Sequence, residues 1–170
     1  MLVPHSIPSA VSAREAQRLA ELASGGCVLE VGSDYGFSTI VLASTARCVH
    51  AVDWFRGDGH AGHKDVLGQF WTNINQWGVR DKIIVHIGDA AEVVPTLKSG
   101  TFDLAFIDAF HEEDAVYQDG MRCYDVVRLG GAIAFHDYGR FTVAPAVERL
   151  KHDLHGDLEV VESLAVLRLP

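Results

Sequence analysis

Positive charge is scarce in this chain: 14 lysines and arginines stand against 23 aspartates and glutamates, leaving a net charge of −9. Nucleic-acid binding draws most of its non-specific affinity from basic side chains on phosphates and leaves a basic patch. The basic residues here are scattered, so neither nucleic acid nor an anionic membrane surface is an expected partner. Long apolar runs are absent too, and none approaches the roughly 20 residues a membrane helix needs. The N-terminus carries Pro4, His5 and Pro8 where a secretory leader would have a basic and then an apolar segment, so a cytoplasmic location is expected. Cysteine is limited to three, an odd count. Cys27 and Cys48 fall in or beside expected strands and Cys123 in an expected helix, which predicts reduced, packed thiols. There is no internal repeat, low-complexity tract or linker, so residues 1–170 are expected to form a single domain. Its 48% hydrophobic and 22% charged residues are ordinary for a globular α/β protein with one core.

The apolar patterns alternate between strand and helix. Residues 10–24 read as an amphipathic helix, with Ser9 as N-cap and Gly25-Gly26 as terminator. This helix, within residues 1–25, precedes the alternating core. Strand 27–31 leads to helix 36–45, and strand 48–52 to a loop rich in glycine and histidine and then helix 63–77. Strand 82–87 precedes a short helix at 89–98, strand 102–107 precedes helix 112–128, and strand 131–136 precedes helix 142–154. That rhythm implies a parallel sheet with helices on both faces. Residues 158–169 then offer two strands with almost no connection, so the last strand must run antiparallel.

The segment from Val28 to Ser38, VLEVGSDYGFS, carries the first turn from strand to helix. Its glycines let the backbone turn and approach a ligand. About 20 residues beyond Gly32, Asp53 ends the next strand, where an acid accepts hydrogen bonds from ribose hydroxyls. A dinucleotide turn prefers G-x-G-x-x-G, which makes room for pyrophosphate. Here Asp34 stands where phosphates would lie and Glu30 just before the turn, an arrangement suited to ammonium and sulfonium charge. Glu30-Val31-Gly32-x-x-x-Gly36 resembles motif I of the class I S-adenosylmethionine-dependent methyltransferases. The resemblance implies a Rossmann-like three-layer αβα sandwich whose seven-stranded, mostly parallel sheet has the order 3-2-1-4-5-7-6. It further implies cofactor contacts at Glu30, Gly32, Ser33, Tyr35, Gly36, Ser38 and Asp53. Trp54 would offer adenine a flat face, and Asp89 with the backbone of Ala90 would bind the adenine edge.

Glu30, Asp53, Asp89, Asp108 and Asp137 all fall at or near predicted strand ends, the rim on which doubly wound sheets bind ligands. The segments FDLAFIDAFH (102–111) and GGAIAFHDY (130–138) resemble the FIDxxH and FHDY pair of a bacterial methyltransferase family. That family is related to catechol-type O-methyltransferases and includes enzymes acting on macrolide sugars. Strands four and five are neighbours in such a sheet, about 4.8 Å apart, so Asp108 and Asp137 can share one small volume. Two carboxylates that close repel unless a proton or cation intervenes. A hard divalent ion such as Mg²⁺ is the natural occupant, although Tyr138 stands where the catechol-type enzymes usually have asparagine. Asp108 also belongs to the cofactor set. His111 and Asp108 are the candidate catalytic residues, with His111 as the base. His136 should face away from Asp137 by strand alternation. His60 and His63, separated by two residues, could bind metal or decorate a loop covering the cofactor.

The expected activity is methyl transfer from S-adenosylmethionine to a small hydroxylated molecule. Two alternatives stand beside it: a catalytically silent S-adenosylmethionine-binding scaffold, and an NAD-dependent oxidoreductase, which the glycine spacing and terminal hairpin disfavour. With so little chain beyond the core, the substrate pocket must come from the 54–64 loop, the N-terminal segment or a second subunit of a homo-oligomer.

Overall fold

The computed structural model describes residues 1–57, 62–140 and 142–170. Its seven strands are β1 (Cys27–Val31), β2 (Cys48–Asp53), β3 (Ile83–Ile87), β4 (Phe102–Ile107), β5 (Val127–Phe135), β6 (Asp157–Val161) and β7 (Leu164–Arg168). They form one sheet in the order β3-β2-β1-β4-β5-β7-β6. The β1–β2, β1–β4, β2–β3 and β4–β5 pairs are parallel, and β7 runs antiparallel between β5 and β6. Order and direction are those expected of the methyltransferase fold.

Among the described residues six α-helices flank the sheet: α1 (Ala13–Ala23), α2 (Phe37–Thr45), α3 (Leu67–Gln76), α4 (Ala90–Val93), α5 (Glu113–Val126) and α6 (Val143–Leu154). Leu19, Ile40, Phe70 and Ile74 from α1, α2 and α3 pack on one face. Val116, Cys123, Val147 and Leu150 from α5 and α6 pack on the other. Both faces of the central strands are therefore buried, and β1 reads as an unbroken buried run, as a parallel sheet covered on both sides requires.

Three local expectations change. α1 is capped at Ser12, not Ser9: the Ser12 hydroxyl accepts from the Glu15 N–H while the Glu15 carboxylate accepts from the Ser12 N–H. Such a box satisfies two otherwise orphaned donors and outcompetes a start three residues earlier. β5 begins at Val127, directly after α5, with a register shift opposite Phe102 and Leu104. Cys27 and Cys48, expected as reduced thiols, form a disulfide: β1–β2 register pairs them directly, with Cα atoms 4.8 Å apart. Cys123 is the one free cysteine, buried in α5.

The turn after β1 shapes the ligand end of the sheet. Gly32 has φ +91°, and a Cβ built on it would lie 2.3 Å from the Asp108 carbonyl oxygen. Glycine thus lets the β1 turn and the β4 tip touch backbone to backbone. Gly32→Ala should destabilise the fold by about 2 kcal/mol or more, through both the clash and the left-handed backbone. Denaturant unfolding with a wild-type midpoint would contradict this close approach.

Candidate active site

The carboxyl ends of β1, β2, β4 and β5 open onto a cavity of about 410 Å³. Its wall at β1 is formed by Gly32, Ser33, Asp34, Tyr35, Phe37 and Ser38. Glu30 is not on this rim. Strand β1 runs on to Val31, and Glu30 lies completely buried behind the turn, accepting from the hydroxyls of Ser33 and Thr39. Burial pushes its carboxyl up to about 7, and the hydroxyl bonds from Thr39, Ser38 and Ser33 oppose that rise only in part. Its Oε1 is buried with no hydrogen-bond partner among the described residues. Gly36 likewise lies outside the cavity lining; at φ +88° it starts α2 against the Phe70 ring. Both residues expected as contacts of motif I therefore act from behind, fixing the turn that carries Ser33 to Tyr35.

Asp53 binds that turn to the tip of β2. Its carboxylate accepts from the backbone N–H groups of Ser33 (2.7 Å), Asp34 (2.8 Å) and Phe55 (2.6 Å). A carboxylate has about four lone-pair positions, so one acceptor position remains on an acid that also lines the cavity. Phe55 takes a left-handed backbone, φ +59°, and buries its ring against Phe70. The reversal leaves neighbouring Trp54 at the cavity, 44% exposed. Asp89 and Ala90 complete this side. Asp89 caps α4 by accepting from the Ala91 N–H (2.8 Å) while lining the cavity, so the capping role and the rim position coexist.

The tips of β4 and β5 supply the other side. One ligand atom each from Asp108, His111 and Asp137 lies within 4.8 Å of the others. His111 Nε2 is 2.9 Å from Asp137 Oδ2, and Arg140 Nε reaches the same oxygen at 2.9 Å. His111 Nδ1 is buried with no partner among the described residues. Tyr138 turns away: its hydroxyl donates to Glu148 on α6 at 2.7 Å, so it supplies nothing in place of the catechol-type asparagine. His111 is the third member of the cluster with Asp108 and Asp137.

His136 does not face away from Asp137. β5 ends at Phe135, and Asp137 adopts a left-handed backbone, φ +59°, so strand alternation no longer applies. The His136 ring lies 3.4 Å from Asp108, 3.6 Å from Asp137 and 3.5 Å from Glu15 of α1. Burial opposes its charge, but Asp108, Asp137 and Glu15 together push its pKa up to about 9. Burial opposes the Glu15 charge as well. Hydrogen bonds from Ser163 and Ser12, with attraction to His136, outweigh it and hold that carboxyl below its ordinary range. The repulsion expected between the two rim aspartates is thus answered by an imidazolium beneath them and the Arg140 guanidinium beside one.

Glu15, Arg140 and Lys64 were not foreseen as site residues. Lys64 pairs with Asp34 at 2.8 Å and lies over the Tyr35 ring, drawing the loop after β2 against the turn. The S-x-x-E spacing of Ser12 and Glu15 was a legible signal; the other two came from loops without a pattern. Pro8, Ser9 and Ala10 also line the cavity, as the need for an N-terminal wall suggested. His60 lies outside the described residues, and His63 joins no metal-type cluster among them.

Residues 29–138 match a protein family described as "Methyltransferase domain". A catechol O-methyltransferase of Mycobacterium tuberculosis is 36% identical over 151 residues, covering 75% of this chain and 62% of that protein. The chain therefore spans less than two thirds of this curated relative. Among solved structures, cofactor-bound Rv0187 from MTB superposes with a TM-score of 0.71 at 26% identity, covering 96% of this chain and 82% of that one. The O-methyltransferase TomG of Streptomyces achromogenes, solved with SAM, gives 0.72 at 20% identity over 97% and 83% of the two chains. An O-methyltransferase of Bacillus cereus, solved with SAH, gives 0.72 at 18% over 98% and 86%. The last two establish likeness of fold.

The histidine cluster makes a pH prediction. His136 has a folded pKa of about 9 against an ordinary value of 6.5. Its contribution to stability is therefore fully present below 6.5 and is lost as pH rises through about 9. Thermal unfolding should show a fall in Tm across that window that is absent in His136→Gln. A wild-type Tm flat across the window would contradict the charged, buried ring.

Proposed function

Because the chain belongs to the methyltransferase domain family and has the class I S-adenosylmethionine-dependent fold, we propose that it methylates an oxygen of a small hydroxylated molecule. One observation carries the reading: the Asp53-clamped turn and the Asp108–His111–Asp137 cluster line opposite sides of a single cavity. One side suits a nucleoside and the other suits activation of a hydroxyl.

The donor set fits S-adenosylmethionine. Asp34, Asp53, Asp89 and Asp108 face the cavity, which favours ammonium, sulfonium and ribose hydroxyls and repels the pyrophosphate of a dinucleotide. The remaining acceptor position on Asp53 suits a ribose hydroxyl, and exposed Trp54 offers a stacking face. When bound, S-adenosylmethionine supplies a methyl group on a positively charged sulfur, ready for in-line attack. The rigid turn and strand tips serve orientation, where most of the rate would arise.

His111 is the base in this reading. Its Nε2 faces Asp137 at 2.9 Å, and the pair together would take the acceptor's proton at that nitrogen, Nδ1 being buried away from the cavity. Asp137 is itself held by Arg140. A second reading is favoured by the cluster of Asp108, His111 and Asp137, whose O, N and O donors fit a divalent ion such as Mg²⁺. These three residues would hold it, and its chemistry there would be to favour the acceptor's alkoxide.

Two measurements follow. Asp53→Ala should weaken S-adenosylmethionine binding by about 1–3 kcal/mol in calorimetry, through lost charge-assisted hydrogen bonds and a loosened turn; unchanged affinity would contradict the nucleoside site. Methyl transfer to a catechol should fall about 10²–10⁴-fold in His111→Gln, and comparing EDTA with added Mg²⁺ separates the two readings of the acceptor side. Full wild-type activity in EDTA removes the metal and leaves the His111–Asp137 pair. Activity restored only by Mg²⁺ assigns the cluster to an ion. Wild-type turnover in His111→Gln would overturn both.

A further inference from the structure

The opposite end of the sheet holds a second group of chemistry-bearing side chains. Cys27 opens β1, Cys48 opens β2, and His50 follows on the same face of β2. The two sulfurs and one ring nitrogen of His50 lie within 4.8 Å of one another. His50 Nδ1 is 3.0 Å from His86 Nε2 on β3, and the rings stack at 5.1 Å. The edge of Phe102 packs on the His50 ring from another side. Nothing in the proposed methyl transfer uses these residues: Cys27, Cys48 and Phe102 open their strands and His50 follows Cys48 two residues on, while His86, on β3 opposite Val52, reaches back to His50.

We propose that, with the disulfide reduced, Cys27, Cys48 and His50 form a binding site for a thiophilic divalent ion such as Zn²⁺, with His86 orienting His50. Two thiolates and an imidazole match the preference of zinc for sulfur and nitrogen donors. They also cancel its charge, whereas two oxygen acids would suit a harder ion. At Zn–S distances of about 2.3 Å, tetrahedral geometry sets the sulfurs about 3.8 Å apart, which side-chain rotation supplies with the strands in their present register. When His50 donates from Nδ1 to His86, Nε2 carries the lone pair that a metal needs. A ligand histidine held through its other nitrogen is the usual supporting arrangement. The backbone is fixed as well: the Cys27 N–H donates to Asp103 at 2.7 Å, and the Gly26 carbonyl accepts from Arg47 at 2.8 Å. Cys48 and His50 are half-buried, which gives an ion and a reductant access and leaves the fourth position to water.

The disulfide and the metal site are alternative states of the same pair. A dithiol reductant donates two electrons and two protons, the S–S bond breaks, and the reductant leaves as its own disulfide. Binding of the ion then displaces the two thiol protons. The ion binds only the reduced form, so it favours reduction by mass action.

Co²⁺ titration of the phosphine-reduced, oxygen-free protein tests this independently of any methyl acceptor. One equivalent should produce a thiolate-to-cobalt charge-transfer band with the visible bands of a four-coordinate ion, and Zn²⁺ should abolish both. His86→Ala should weaken binding about 10–100-fold. His50→Gln and Cys48→Ser should lose the charge-transfer band, and Asp137→Asn, at the other candidate metal cluster, should retain it. If Cys48→Ser fails to fold, alkylation of the wild type substitutes: Zn²⁺ should protect both cysteines, and His50→Gln should remove that protection. Cobalt bands without thiolate character, a band that survives in His50→Gln, or alkylation unaffected by Zn²⁺ would overturn the proposal.

Discussion

Three carboxylates from three elements converge on one buried imidazole. His136 lies between Glu15 of α1, Asp108 at the tip of β4 and Asp137 just past β5, and the acceptor side of the cavity depends on that arrangement. Two rim carboxylates this close repel each other. The buried imidazolium attracts both, and its partial isolation from solvent makes that attraction count. Because Glu15 also accepts from the backbone and hydroxyl of Ser163 between β6 and β7, the same contact joins the N-terminal helix to the terminal hairpin. The first helix is thus part of the site's foundation, although it precedes the alternating core.

The nucleoside side rests on a different device. Asp53 holds three backbone N–H groups, so the turn after β1 and the tip of β2 form one unit. Glu30 reinforces it from behind through hydroxyls rather than by reaching the cavity. One acid faces the cavity and the other stabilises the turn behind it. The two sides meet where the Asp108 carbonyl touches Gly32, so the turn and the β4 tip cannot move independently.

The antiparallel final strand and the cavity at the strand ends were legible from the alternation of apolar runs and the placement of glycines, whereas the strand order was implied by the resemblance to class I methyltransferases. Asp53, Trp54, Asp89, Asp108, His111 and Asp137 were legible because each lies at or just beyond a strand end. Glu30 was misjudged because proximity to the turn does not reveal which side of it a side chain occupies. His136 was misjudged because alternation holds only inside a strand, and the left-handed backbone at Asp137 ends it. The Cys27–Cys48 pairing needed register, which no spacing along the chain discloses. Arg140 and Lys64 arrive from loops whose conformation is set by the partners they find.

In the proposed function this cavity holds a cationic nucleoside and excludes a dinucleotide. Parallel calorimetric titrations with S-adenosylmethionine and with NAD decide between the two ligands. Binding of S-adenosylmethionine should be saturable and one-to-one, with no detectable heat for NAD. Tighter binding of NAD, or no binding of S-adenosylmethionine, would contradict the proposed function.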